Sequence, residues 1–293
     1  MVPKAKMAHP KPFDPEFKTF LAGHDAFYTC AADLNIEPFQ IFGNLYYVGD
    51  QKVCCHLVDT GDGLILFDTG YRNAVHLYLE NIRKLGFDPA DIKYIIQSHE
   101  HFDHFGGSND IRKLYGSKVC MGAVGTALLR ERPDRALMKL GPMPMDQIAW
   151  PDIELEDGDV LTLGNTSVRC VLSPGHTPGV MSFFFDAVDG DKTLKVGYFG
   201  GVGLLTANRA YNRYFGLPED LPEQMLNTVE KLRSEQVDIT LGNHPAQNNT
   251  LEKRQWMLEH PGENPFIHPD GWQTFLTAMT QRLAEFVAAG YGD

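Results

Sequence analysis

The sequence has no apolar run approaching the ~20 residues that span a bilayer, so no membrane span is expected. It also lacks a basic stripe. Its 26 Lys and Arg are scattered among 38 Asp and Glu, for a net charge of −12. Nucleic-acid binding needs a concentrated positive face, so no nucleic-acid partner is expected, and the acidic balance mostly serves solubility. Cysteine is scarce. Cys30, Cys54, Cys55, Cys120 and Cys170 are odd in number and show no CxxC spacing. Cys54 and Cys55, adjacent on a strand, point to opposite faces and make poor partners for each other. Most of these thiols read as small reduced core residues, with one bridge through Cys30 as the alternative. The segment Met1–Pro10 carries basic residues but no apolar stretch after them, so it does not read as a leader. A chain already trimmed of one would look the same. The expectation is therefore a soluble protein, cytoplasmic if the chain is complete and periplasmic or secreted if a leader was removed. Oligomeric state is not legible, and no sequence-level repeat is evident.

What is present is an ordinary globular composition, 43% hydrophobic and 22% charged over 293 residues. Residues 1–37 read as an arm without periodicity, and 38–293 as one domain. Short apolar runs cut by turns (Ile41-Phe42, Leu45–Val48, Cys54–Val58, Leu64–Phe67) predict an antiparallel meander. A helix is expected over Asn73–Leu85, then a strand at Tyr94–Gln97, a helix near Ser108–Tyr115, a strand at Lys118–Met121 and a helix at Ala123–Arg130. Residues 131–150, with Pro133, Pro142 and Pro144, read as an irregular connection flanking a cleft. The pattern then recurs. Strands are expected at Val160–Leu163, Ser167–Leu172, Met181–Phe185, Thr193–Phe199 and Val237–Leu241, and helices at Leu221–Leu232 and Trp272–Ala288. Strands followed by helices, given twice, predict a four-layer αβ/βα sandwich of two facing sheets with helices outside.

His99-Glu100-His101-Phe102-Asp103-His104 directly follows the apolar strand at Tyr94–Gln97. Imidazole and carboxylate are the ligands that zinc and its first-row neighbours take, and strand ends are where α/β proteins place active sites. His176, in Ser173-Pro-Gly-His-Thr-Pro-Gly179, and His244, in Gly242-Asn-His-Pro-Ala246, also follow strands. If those strands run alike, His99, His101, His104, His176, His244 and Asp103 converge on one edge. That set is too large for one tetrahedral zinc and suits two Zn2+ per chain. Asp68, ending the strand Leu64–Phe67, is placed to accept a hydrogen bond from a ligand imidazole and fix its tautomer. Glu100 should point away from its histidine neighbours.

With HxHxDH at 99–104, Gly-His-Thr at 175–177, Asp-Thr-Gly at 68–70 and a late histidine at 244, the chain resembles the metallo-β-lactamase superfamily over residues 38–250. The resemblance implies the αβ/βα sandwich and hydrolysis by a metal-bound hydroxide. It assigns His99, His101 and His176 to a first zinc and Asp103, His104 and His244 to a second, with Asp103 as the catalytic group that orients the nucleophile. Many superfamily hydrolases carry an aspartate bridging both metals after the Gly-His-Thr loop. Here that strand ends Gly197-Tyr-Phe-Gly-Gly-Val-Gly203, without carboxylate or thiol. This departure is similar to the third subclass of class B β-lactamases, and the function it implies is opening of a β-lactam ring. A lactonase or thioesterase on the same scaffold is the alternative. Serines common in that subclass near residues 200–203 are replaced by glycines and Val202. Substrate contacts are expected from Asn208, Arg209, Tyr211, Asn243 or Gln247. A flavo-di-iron reductase would need a further carboxylate and a flavodoxin domain, and nothing after residue 250 supplies either.

Overall fold

Apolar runs separated by glycine turns form strands β1 (Phe39–Phe42), β2 (Leu45–Tyr47), β3 (His56–Asp59) and β4 (Leu64–Phe67), paired antiparallel in sequence order. The computed structural model describes residues 30–140, 147–290 and 292. From β4 onward the pairing turns parallel, to β5 (Ile92–Ile96), β6 (Lys118–Gly122) and β7 (Ile153–Leu155), completing a seven-stranded sheet. Parallel neighbours require crossovers. These are α1 (Val75–Lys84), then α2 (Phe102–Phe105) with α3 (Ser108–Tyr115), then α4 (Ala123–Glu131).

The second sheet has five strands in the order β12-β11-β10-β9-β8. Strands β8 (Val160–Leu163), β9 (Thr166–Leu172), β10 (Met181–Asp189) and β11 (Lys192–Phe199) pair antiparallel. Helices α5 (Arg209–Phe215) and α6 (Leu221–Leu232) cross over to β12 (Ile239–Gly242), parallel to β11. Two further helices follow, α7 (Thr250–Glu259) and α8 (Gly271–Ala288).

Three apolar layers hold the sandwich. Between the sheets, Phe67 stacks on Phe185 with centroids 5.1 Å apart, among Val58, Phe183, Tyr198 and Leu241. Leu79 and Ile82 of α1 and Ile111 of α3 pack against Leu66 and Ile95 on the outer face of the first sheet. Met225 and Val229 of α6 and Trp272 and Leu276 of α8 cover Val171 and Phe199 of the second. Trp272 Nε1 donates to the Leu232 carbonyl at 2.8 Å, tying α8 to α6. Truncating such a buried indole costs about 3–5 kcal/mol. The expected four-layer αβ/βα sandwich is thus the observed architecture.

Some boundaries differ from expectation. β3 begins at His56 rather than Cys54, because the Cys54 N–H is taken by the Asn243 carbonyl at 3.0 Å, outside the sheet. β7, α2, α5 and α7 carry no clear periodic signal in the sequence. In α7 only Thr250 is buried, so no apolar stripe marks it. α5 is short, yet Asn208 caps its start through Tyr211 N at 2.8 Å and Gly216, at φ +62°, ends it. Within residues 131–150, two 3₁₀ turns, Pro133–Ala136 and Met138–Leu140, are formed. Pro142 and Pro144 lie outside the described residues, as does most of the 1–37 arm. All five cysteines are free, Cys30 exposed and the others buried. Burial pushes the thiols of Cys120 and Cys170 up to about 12. Among the described residues no helix is long and apolar enough to cross a membrane.

Candidate metal centre

The strand directions decide where the histidines meet. β9, β11 and β12 run alike in one sheet, and β4 and β5 run alike in the other. The loops after these five strands carry His176, Gly200–Gly203, His244, Asp68 and His99–His104, and they share one edge of the sandwich. There the side chains form two groups of three, His99 with His101 and His176, and Asp103 with His104 and His244.

The first group is buried. His101 Nδ1 lies 3.1 Å from both His99 Nε2 and His176 Nε2. His99 Nδ1 donates to the Gly200 carbonyl at 2.9 Å. A carbonyl only accepts, so Nε2 is left with its lone pair facing the group. Asn243 Nδ2 also donates to that carbonyl, at 2.6 Å. Burial, with the neighbouring imidazoles adding to it, holds His99 and His176 well below the ordinary range, and burial brings His101 down to about 4. All three rings are therefore neutral at pH 7, the form that ligates.

The second group is organised by charge. His104 Nδ1 donates to Asp68 Oδ2 at 2.9 Å, while its Nε2 is buried without a hydrogen-bond partner. Asp103 Oδ2 lies 3.5 Å from His104 Nε2 and 3.7 Å from His244 Nε2. Burial pushes Asp103 up, but His104, His244 and His101 outweigh it and hold the carboxyl below its usual range. Burial also works against a charged His104, yet Asp103 and Asp68 raise it. His244 is the open member, with 31% of its side chain exposed, and its Nδ1 donates to the Lys52 carbonyl at 2.7 Å.

Asp68 sits at φ +56°, an unfavourable conformation for a non-glycine residue. Its carboxylate accepts from Ser98 N at 2.7 Å, Ser98 Oγ at 2.8 Å, Tyr198 Oη at 2.6 Å and His104. Four donors over-determine its position, and a ring held this way has a fixed tautomer.

These residues fit a metal. Tetrahedral zinc with bonds of about 2.0–2.1 Å sets ligand nitrogens about 3.3 Å apart, close to the 3.1 Å contacts of the first group. The orphaned His104 Nε2 and the backbone-fixed Nδ1 atoms of His99 and His244 leave lone pairs aimed inward.

Residues 200–203 add no side-chain ligand. A Cβ at Gly200 would lie 1.9 Å from the Met181 carbonyl oxygen, and one at Gly203 would lie 2.4 Å from His176 Nδ1. The glycines replacing the subclass serines are thus required by close approach. Val202 is buried among Phe275 and Met279 of the α8 layer.

The other expected contacts take structural places. Asn208 caps α5, Arg209 pairs with Glu223 at 2.8 Å, and Tyr211 is buried against Phe215. Asn243 and Gln247 do border the second group. Gln247 Oε1 accepts from the N–H of Asn243 at 3.1 Å and of His244 at 3.3 Å. Glu100 turns away from the histidines, as expected, and accepts from Thr177 Oγ1 at 2.9 Å; burial brings its carboxyl up to about 7. Sequence reasoning missed Ser98, Tyr198 and the carbonyls of Lys52 and Gly200. Ser98 adjoins His99 and Tyr198 lies on a strand, but backbone acceptors leave no signal in a sequence.

The metallo-beta-lactamase superfamily model matches residues 48–189. The structure is similar to that of BJP-1, a subclass B3 metallo-beta-lactamase of Bradyrhizobium japonicum, with 30% identity and a TM-score of 0.76 over 87% of this chain and 95% of that one. Curated relatives include the N-acyl homoserine lactonase AttM of Azorhizobium caulinodans, 27% identical over 67% of this chain and 66% of its own length. The hydroxyacylglutathione hydrolase of a Synechococcus strain is 27% identical over 73% of this chain and 71% of its own length. The chain spans less than two thirds of the length of several of these relatives, 59% for a Bacillus lactonase. Taken with the two groups of candidate ligands at the sheet edge, these matches show that the chain belongs to the metallo-β-lactamase superfamily.

Proposed function

We propose that this protein is a zinc-dependent hydrolase that opens a β-lactam ring, with His99, His101 and His176 holding one ion and Asp103, His104 and His244 a second. The observation that carries this reading is the Asp-His-His composition of the second group beside a 200–203 loop that offers no ligating side chain. The likeness to BJP-1 supports it. When bound, such ions polarise a carbonyl and acidify water.

The chain's own residues do the rest. Asp103, kept ionised by the imidazoles around it, offers Oδ2 as acceptor for a proton of the attacking water and so orients it. Asp68 and the Lys52 carbonyl hold His104 and His244 in the tautomer with Nε2 bare. Gly203 permits the His176 ring to stand where a side chain would displace it. Gln247, whose Oε1 accepts from two backbone N–H groups, offers its amide hydrogens to a substrate carboxylate. Asn243 supports it by fixing the Gly200 carbonyl, whereas Asn208, Arg209 and Tyr211 act through the packing of α5.

A second reading, a lactonase or thioesterase, is favoured by the names of the curated relatives. One kinetic panel separates the two. The zinc-loaded protein is assayed on nitrocefin, an N-acyl homoserine lactone and a glutathione thioester, with His101→Ala as control. Nitrocefin turnover well above that control is expected. Turnover confined to the lactone or thioester would replace the first reading with the second.

A further inference from the structure

His244 is the exposed member of the second group, carried on a loop, yet its ring is aimed by one backbone carbonyl, that of Lys52. Lys52 belongs to the turn that joins β2 to β3, in the opposite sheet. What holds that turn therefore holds His244. The turn closes on Asp50, a carboxylate only 1% exposed. Asp50 Oδ1 accepts from Lys52 N at 2.7 Å and Val53 N at 2.8 Å, and Oδ2 accepts from Tyr78 Oη at 2.6 Å. Its backbone carbonyl accepts from Tyr47 Oη. A buried carboxylate is costly unless it is hydrogen-bonded; among the described residues no ion pair reaches Asp50, and three donors satisfy both of its oxygens. The same turn grips the His244 loop a second time, through Cys54 N and the Asn243 carbonyl at 3.0 Å.

Tyr78 connects this turn to the Asp-Thr-Gly segment. A Cβ at Gly70 would lie 2.3 Å from Tyr78 Oη, so the phenol reaches Asp50 only because residue 70 lacks a side chain. Asp68, two residues earlier, holds His104 directly. Both imidazoles of the second group are thus oriented from one neighbourhood, His104 by direct contact and His244 through four links.

We propose that Asp50, held by Tyr78, is a positioning residue for His244: it presents the Lys52 carbonyl that selects the His244 tautomer with Nε2 free. The proposal rests on the assignment of His244 to the second metal for its zinc readout, but not for its tautomer readout.

The test uses ¹⁵N-histidine NMR of the full chain without metal, followed by zinc titration against a chromophoric chelator. In the parent, His244 is expected as the Nδ1–H tautomer. Asp50→Ala is expected to lose that preference while His104 keeps its Nδ1–H hydrogen bond to Asp68. One of two zinc equivalents should weaken by about 10–100-fold, the scale of losing an outer partner of a ligand, and the other should be unchanged. Asp50→Asn, whose Oδ1 still accepts from both turn N–H groups, should restore both readouts. Tyr78→Phe should shift the same ring and the same zinc equivalent in the direction of Asp50→Ala, and it carries the test if the alanine variant does not fold. An unchanged His244 tautomer in Asp50→Ala or Tyr78→Phe would overturn the proposal, as would equal loosening of His104 and His244. Failure of β-lactam turnover in the parent would overturn the proposed activity and leave these readouts standing.

Discussion

The two groups of candidate ligands sit side by side on one sheet edge but are held by different physics. The first is three neutral imidazoles, all buried and touching at 3.1 Å, with His176 packed closely against Gly201 and Gly203 and His99 bonded to the Gly200 carbonyl. The second contains a carboxylate, one buried ring and one ring 31% exposed, fixed by hydrogen bonds to Asp68 and Lys52. Burial pushes the first group's imidazoles down, whereas charge raises His104 in the second. A packed group tolerates little change in volume, and a charge-organised one little change in its acceptors.

Removing the centre of the first group should have the largest effect. His101→Ala deletes the atom lying 3.1 Å from both neighbours, and turnover of whichever substrate the panel identifies should fall by at least about 10²–10³-fold, the scale of losing a principal electrostatic group. Elemental analysis should show zinc lost from the first group. Next is Asp68→Ala, which frees His104, Ser98 and Tyr198 together. Zinc affinity of the second group should drop about 10–100-fold with the first retained, read by chelator competition.

The pH dependence of the metal-free protein separates the groups without a substrate. Burial brings His101, and His56 beneath the site, from 6.5 down to about 4. Between those values the unfolded chain binds protons that the folded rings refuse, so stability falls as pH drops from 6.5 to 4. Each ring contributes about 1.4 kcal/mol per pH unit across that window. His104 is raised, so its contribution is present below 6.5 and fades as pH rises through its folded value. Glu100, raised to about 7, also opposes the fall by gaining stability as pH drops, but with His99, His176 and His244 lowered too the depressed imidazoles outnumber these groups, and the melting temperature should decline on acidification. A flat or rising profile would contradict this assignment.

The smallest effect distinguishes two glycines. At Gly203 a Cβ would meet His176 Nδ1 at 2.4 Å, and at Gly201 it would meet His176 Cδ2 at 3.0 Å. Gly203→Ser should weaken zinc at the first group by roughly tenfold, and Gly201→Ser by less. Equal effects would show that packing on His176 is not what sets this group.

Much was legible in the chain because short-range chemistry writes itself into sequence. The meander, the crossover helix at Ser108–Tyr115 and the helix at Leu221–Leu232 follow from apolar periodicity and turn residues. The six ligand candidates stood out because each follows a strand. α5 is not legible although Asn208 and Gly216 mark its ends, since seven residues give little periodicity. Asn208, Arg209 and Tyr211 read in the sequence as polar or aromatic residues near a glycine loop, and in the fold a cap, an ion pair and an aromatic contact engage them.

By itself the sequence determined residue chemistry and that each candidate ligand follows a strand, whereas the pairing of the strands decided that they run alike and gather these side chains at one edge. Tertiary structure alone decided how each ring is aimed. His99, His104 and His244 take their orientation from the Gly200 carbonyl, Asp68 and the Lys52 carbonyl, up to 192 residues away in the chain. Two of those partners are backbone atoms, identical in every residue type, so only the packing of two sheets brings them to the right ring.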